Sequence, residues 1–158
     1  AYKDNRSFVE MTPITPTTSF RVTRGQGTTW ERALMFAILS RLEELSDVTA
    51  ELDQLLRHEV GEGGWKNAKK FYRDEISKIE TKHPEVGYPQ SVIDTIRKEH
   101  IEKIHEVRDF LCGLSSGKKK VYFIGRLRMM FAEISVADLN PALVIVDEFQ
   151  RFKFLIDN

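Results

Sequence analysis

Thr28-Thr29-Trp30-Glu31 opens the stretch whose reading decides the fold. A hydroxyl residue followed three positions later by a glutamate fits a capping box. Thr28 accepts from a free backbone N–H, and Glu31 reaches back to the cap. Trp30, Leu34, Ala37, Ile38, Leu42 and Leu45 follow at helical spacing. Ser46 or Asp47 is then expected to cap a second helix with Leu52, Leu55 and Leu56 on one face. Gly61-Glu62-Gly63-Gly64 is expected to end it, because glycines so dense cost a helix too much backbone entropy.

The same pattern continues along the chain. A third helix is predicted from about Trp65 to Lys82, with an apolar stripe of Trp65, Ala68, Tyr72, Ile76 and Ile79. Pro84 and Pro89 bracket a turn. Ser91, with Asp94 three residues on, reads as the N-cap of a fourth helix reaching about Leu114 and carrying Val92, Ile93, Ile96, Ile101, Ile104, Val107 and Leu111. Ser115-Ser116-Gly117 breaks it. A fifth helix, from about Lys119 to Ala137, is apolar on more than one side through Val121, Phe123, Ile124, Leu127, Met130, Phe131 and Ile134, so several neighbours should cover it. Two segments read differently. Residues 1–27 are rich in Thr, Pro and Gly, with Phe8-Val9-Glu10-Met11 as a candidate short strand. Ala142-Leu143-Val144-Ile145-Val146 is a continuous apolar run, as in a strand buried on both faces. The expected fold class is therefore mainly α: about five helices with one or two short strands, the last at about 142–147.

Composition narrows the function classes. The chain has 158 residues, 41% of them hydrophobic, which suits one domain with a real core and argues against a wholly disordered chain. Its single cysteine cannot form an internal disulfide framework, and no Cys/His spacing resembles a zinc site, so a cytoplasmic location is expected. No apolar run approaches a membrane span, and no membrane partner is expected. The 24 basic and 24 acidic residues cancel, but not locally. Residues 31–65 hold three basic and eight acidic side chains, whereas 66–120 hold thirteen basic and nine acidic. A neutral total thus leaves room for a nucleic-acid partner. Lys66, Lys69, Lys70 and Arg73 recur at helical spacing, and Lys118-Lys119-Lys120 forms a second cluster. They read either as a solvated face balanced by Glu75, Glu80, Glu99 and Glu102, or as a phosphate-tracking surface. His100 and His105 are five apart, which turns them away from each other and excludes a metal pair on one helix. Like His58 and His83, they read as partly exposed structural histidines. Cys112, beside Leu111 near a helix end, is expected to be a buried, inert thiol.

The chemistry concentrates in Leu143-Val144-Ile145-Val146-Asp147-Glu148. An apolar strand followed by two carboxylates has the form of a Walker B element. The buried strand fixes its C-terminal end, where open α/β sheets bind ligands. Asp147 would hold a hydrated Mg²⁺ bridging phosphate oxygens, and Glu148 would orient and deprotonate the attacking water. The plain alternative is a core strand that ends in an acidic turn.

The longer run Asp147-Glu148-Phe149-Gln150-Arg151-Phe152 resembles motif II, the DExx box, of the superfamily-two helicases, and most of all the bacterial Swi/Snf-like helicases and translocases. Gly125-Arg126-Leu127-Arg128 and Leu139-Asn140-Pro141-Ala142-Leu143-Val144 resemble that family's approach to the motif. So do Ile14-Thr15-Pro16-Thr17-Thr18-Ser19-Phe20, Gly25-Gln26-Gly27-Thr28 and Glu31-Arg32-Ala33-Leu34. The resemblance implies parts of a first RecA-like lobe at 1–27 and 119–158, the second part holding a helix, the Walker B strand and a following short helix. Between them lies a helical insertion at 28–118. It implies that Asp147 is the Mg²⁺-linked acid, acting through water, and Glu148 the water-activating one. Gln150 would sense the γ-phosphate or couple to the next motif. Thr15, Thr17 and Thr18 would lie on a Thr-Pro loop that contacts the nucleic-acid backbone, although Thr-Pro turns are also ordinary loop chemistry. ATP and Mg²⁺ would be cofactors, and DNA a partner, of a full-length parent that also supplies the remaining helicase motifs and a second RecA-like lobe.

No Walker A loop is present. Gly113-Leu114-Ser115-Ser116-Gly117-Lys118 has one residue too few between its glycines, has Lys119 where Ser or Thr should follow, and comes after a helix. This chain alone is therefore expected to bind no cofactor and to be inactive as an ATPase. Its start at Ala1 without Met, its lone doubly buried strand and its end soon after Glu148 lead to the expectation of an excised piece of a larger protein. The alternative is a helical protein- or DNA-interaction module without catalytic activity, with protein partners docking on the acidic face around Glu43, Glu44, Asp47 and Glu51.

Overall fold

The Thr28 hydroxyl accepts from the Glu31 backbone N–H at 3.2 Å, and the Glu31 carboxylate accepts from the Thr28 N–H at 2.5 Å. This closed capping box starts α1, Thr29–Leu39, in a computed structural model that describes residues 25–113 and 117–139. The chain then forms α2 (Thr49–Leu56), α3 (Glu62–Lys82), α4 (Gln90–Glu99), α5 (Ile101–Cys112) and α6 (Gly117–Leu139), with 3-10 turns at Glu43–Val48 and Pro84–Val86. The fold is mainly helical, and among the described residues there is no strand. The candidate strands at 8–11 and 142–147, with the lobe segments 1–24 and 140–158, lie outside the described residues. Among the described residues no helix is long and apolar enough to cross a membrane.

Three boundaries differ from the sequence reading. First, α1 stops at Leu39, and Leu42, Leu45 and Val48 continue the buried stripe on a 3-10 turn. Their spacing of three is the period of a 3-10 helix, in which residues i and i+3 eclipse. The expected caps Ser46 and Asp47 are used otherwise. Ser46 Oγ donates to the Glu43 carbonyl at 2.7 Å, Asp47 pairs with Arg108, and Val48 precedes α2 without a side-chain cap.

Second, Gly63 and Gly64 do not keep the chain out of a helix; they lie in the first turn of α3, which Gly61 caps. The first N–H groups of a helix lack intrahelical partners in any case. Trp65, 1% exposed, anchors the turn, and its backbone N–H donates to the Gly61 carbonyl at 3.1 Å. Burying an indole offsets the roughly 1 kcal/mol that each glycine costs a helix relative to alanine.

Third, the single helix expected from Ser91 to Leu114 is two. His100, at φ −130° and ψ 14°, separates α4 from α5. Arg97 before the break pairs with Glu44, and Arg108 after it pairs with Asp47, so both arms grip the same 3-10 turn. Pro89 precedes α4 in place of the expected Ser91 cap, and Gln90 Nε2 donates to Asp94 at 2.8 Å.

The core gathers one face from each helix: Ala33, Met35, Ile38 and Leu39 from α1, Leu52, Leu55 and Leu56 from α2, Trp65 and Ala68 from α3, Val92, Ile93 and Ile96 from α4, Ile104 and Val107 from α5, and Ile124, Leu127, Met130 and Ile134 from α6. As its pattern requires, α6 meets several neighbours, packing on α1, α2 and α4, and Phe123 stacks on Phe110 of α5 at 4.2 Å between centroids. Cys112 departs from expectation: it closes α5 on the solvent side and is exposed.

A Cβ added at Gly63 or Gly64 meets no atom within 4 Å. Gly63→Ala and Gly64→Ala should each therefore raise stability by about 0.5–1 kcal/mol through loss of unfolded-state entropy. Urea unfolding of the chain checks this, and a loss of stability in both variants would contradict the assigned first turn.

Candidate nucleic-acid interface

The face of α3 beside the core carries Lys66, Lys69, Lys70 and Arg73, one or two turns apart. Opposite them stand Phe36 and Ala37 of α1, with Ser40 and Arg41 just after it. Together with Ile76 these residues line an open groove of about 410 Å³. The structure thus brings the three lysines singled out by their spacing into one wall and adds Arg41 from the other side. Nothing in the sequence signals Arg41, which is remote from the lysine cluster.

The five cations are held differently. Lys69 pairs with Asp53, and its ammonium lies 4.8 Å from the centre of the Phe36 ring and 5.5 Å from that of Trp65. Asp53 also accepts the Trp65 indole N–H at 3.1 Å. Arg41 makes a bidentate pair with Glu80 at 2.6 and 3.2 Å, and this hydrogen bonding holds the Glu80 carboxyl below its ordinary pKa. Lys66 reaches back one turn to Glu62 at 2.6 Å and lowers that carboxyl too, but both side chains are about two-thirds exposed. Among the described residues Arg73 pairs with its neighbour Asp74 alone, at 3.1 Å. Lys70 is exposed and has no ion-pair partner among the described residues. Of the expected balancing acids, Glu80 pairs with the groove residue Arg41, whereas Glu75 pairs with Lys78.

A second polar cluster forms where the chain enters the fold. Arg128 of α6 donates to the Gly25 carbonyl at 2.6 Å and to Glu31 at 3.3 Å. Gly27 has φ +71°, and a Cβ there would collide with the Arg128 side chain and the Glu31 carboxylate, so only glycine fits. Arg32, 5% exposed, donates to the His58 carbonyl at 2.7 Å and to Gln26 at 3.3 Å, while its Nε is buried without a partner. Burial lowers the Arg32 pKa, Glu59 and Glu31 oppose that shift, and Arg128 adds to it. His58 is only partly exposed, whereas His83 and His105 are exposed. Burial also lowers the pKa of half-buried His100, which sits 3.9 Å from Glu133.

The acidic face proposed for a protein partner is partly occupied from within. Glu44 accepts from Arg97 at 2.9 and 3.3 Å, and Asp47 from Arg108. Asp147, Glu148, Gln150, Thr15, Thr17 and Thr18 lie outside the described residues, as does the side chain of Lys118. Among the described residues no group of three His, Cys, Asp or Glu side chains is placed to hold a metal ion. No protein-family model, no curated protein and no solved structure matches the chain.

The Arg97 hydrogen bond holds the Glu44 carboxyl below its ordinary pKa. A depressed carboxyl contributes stability above its unfolded value of about 4.3 and loses it as pH falls through the lower folded value. Arg97→Met should therefore lower the stability at pH 7, modestly because the pair is partly exposed. The gap to wild type should close between about pH 5 and pH 3. Thermal unfolding across that range checks the sign, and a gap that widens in acid would refute it.

Proposed function

We propose that the chain is part of an ATP-dependent DNA helicase or translocase of the DExx-box type, carrying motif II and a helical insertion next to it. The observation that carries this reading is the sequence Leu143-Val144-Ile145-Val146-Asp147-Glu148-Phe149-Gln150, an apolar run ending in the acids that magnesium-assisted phosphoryl transfer requires. Two features of the described residues support it. The start of the helical region is tied to its last helix, since Arg128, midway along α6, holds Gly25 and Glu31 across 103 and 97 residues of chain. Inserted modules commonly have neighbouring ends. The lysines of α3 also line a basic groove.

In this reading Asp147 would hold Mg²⁺ through water, Glu148 would activate the attacking water, and Gln150 would sense the γ-phosphate or couple to the next motif. A cytoplasmic location would suit that role. ATP and Mg²⁺ would supply the leaving group and its charge neutralisation in the full-length parent, where a phosphate-cradling loop, the later motifs and the second lobe complete the site. Without a Walker A loop, the 158-residue chain alone should not hydrolyse ATP.

Glu148→Gln in the full-length parent keeps the shape of the side chain and removes the base. DNA-stimulated ATP hydrolysis should fall by roughly 10²-fold or more. Undiminished hydrolysis would sink the assignment.

A further inference from the structure

We propose that the groove between α1 and α3 holds the sugar–phosphate backbone of a nucleic-acid duplex, bound without regard to base sequence through Lys66, Lys70 and Arg73. The biological setting rests on the translocase reading; the binding itself needs neither ATP nor motif II. Lys66, Lys70 and Arg73 climb one wall of the groove at intervals of four and three residues. At 1.5 Å per residue they span about 10 Å. Measured along the duplex axis, that equals about three steps of one strand at about 3.4 Å of rise each.

The three cations are also the ones free to exchange partners. Lys70 has no ion pair among the described residues, while Lys66 and Arg73 hold exposed pairs of the kind that contribute little to stability. A phosphate chain can displace Glu62 and Asp74 at little cost and gains by releasing its own counterions. Arg41 and Lys69 serve the groove differently. The bidentate Glu80 pair fixes Arg41, and Asp53 with two ring faces fixes Lys69, so both are neutralised by their partners and shape the groove, leaving phosphate contact to the other three.

The ring chemistry selects duplex over single strand. Proteins that hold single strands stack bases on exposed aromatic faces. Here Lys69 lies over the Phe36 ring, and Trp65 is 1% exposed. The exposed Trp30 and Phe71 do not line the groove and pack edge-on against each other at 5.3 Å. The groove offers charge to a backbone and no platform to a base. Ser40 at its rim adds a neutral hydroxyl of the type that commonly contacts phosphate oxygens.

The test is fluorescence anisotropy of the 158-residue chain with a short labelled duplex of mixed sequence, at salt from about 50 to 200 mM. Wild type should bind at low salt and weaken steeply as salt rises. Lys70→Glu with Arg73→Glu should cut the affinity at least about tenfold and flatten the slope of log K against log salt by about 2, at about 0.9 for each phosphate left unneutralised. Lys78→Glu with Lys98→Glu removes the same charge outside the groove and should stay within about twofold of wild type. Circular dichroism and thermal unfolding verify the fold, with Lys70→Gln and Arg73→Gln replacing any charge reversal that unfolds. Unchanged affinity in the groove variant, equal loss in the control pair, or tighter binding of a single strand overturns the proposal. So does capture of polyglutamate but not duplex, which would give the groove to an acidic protein. None of these results touches hydrolysis by Glu148, so the groove and the ATPase reading fail separately.

Discussion

The Asp53 carboxylate is the point on which the groove depends. It accepts the indole N–H of Trp65 at 3.1 Å and pairs with the Lys69 ammonium. Trp65 is the largest fully buried side chain, and its ring meets Phe36 edge-on at 6.1 Å between centroids. One acid of α2 therefore sets both the core joint between α1 and α3 and the orientation of a cation on the groove wall. Without it, a buried N–H would lose its partner at a cost of about 1–3 kcal/mol. Lys69 would lose the anchor that keeps it over the rings. The core and the basic surface are thus two consequences of one hydrogen-bonded carboxylate.

The same logic explains how a neutral chain presents a basic groove. The acidic stretch and the basic stretch fold onto each other: Glu44 meets Arg97, Asp47 meets Arg108, Asp53 meets Lys69 and Glu62 meets Lys66. These four acids, with Glu31 held by Arg128, are engaged within the fold, which leaves less of residues 31–65 as a free acidic face. On α3 the balance is different. Lys70 has no acid partner among the described residues, and Arg73 has only a sequence neighbour. Net charge near zero and a local excess of cations coexist because pairing is set by geometry and not by composition.

How much of this is legible in the sequence depends on whether the signal is local. Thr28 and Glu31 announce α1 because a capping box is complete within four residues. The apolar stripe of α6 and the lysines of α3 are periodic, so their faces can be read directly. The break at His100 has no such mark. No glycine or proline stands there, and the bend is held by ion pairs to a turn more than fifty residues away. The start of α3 is hidden because two glycines argue locally against a helix that a buried Trp65 secures from outside. In the groove, Lys66, Lys69 and Lys70 are visible as a set. Arg41 and Asp53 are not, since their roles arise only when α1 and α2 meet α3. The carboxylates Asp147 and Glu148 rest on motif reading alone.

The two sequence blocks that resemble helicases, and that the described residues include, lie far apart in the chain yet touch in the fold. Gly25-Gln26-Gly27-Thr28 passes under Arg128, and Gly27 takes a left-handed conformation where any side chain would strike that guanidinium. Arg32, in the next block, turns inward to the His58 carbonyl and so ties the same corner to the end of α2. Everything between, from the body of α1 to the first half of α6, leaves this corner and returns to it. If the region is an insertion, as proposed, a segment that begins and ends at one place would add little loop-closure cost to the fold that receives it. Its groove can then evolve on α1 and α3 without disturbing the residues on either side. On the proposed helicase reading, that separation would let a helical body with its own core and its own groove serve a nucleotide-binding motif without sharing its chemistry.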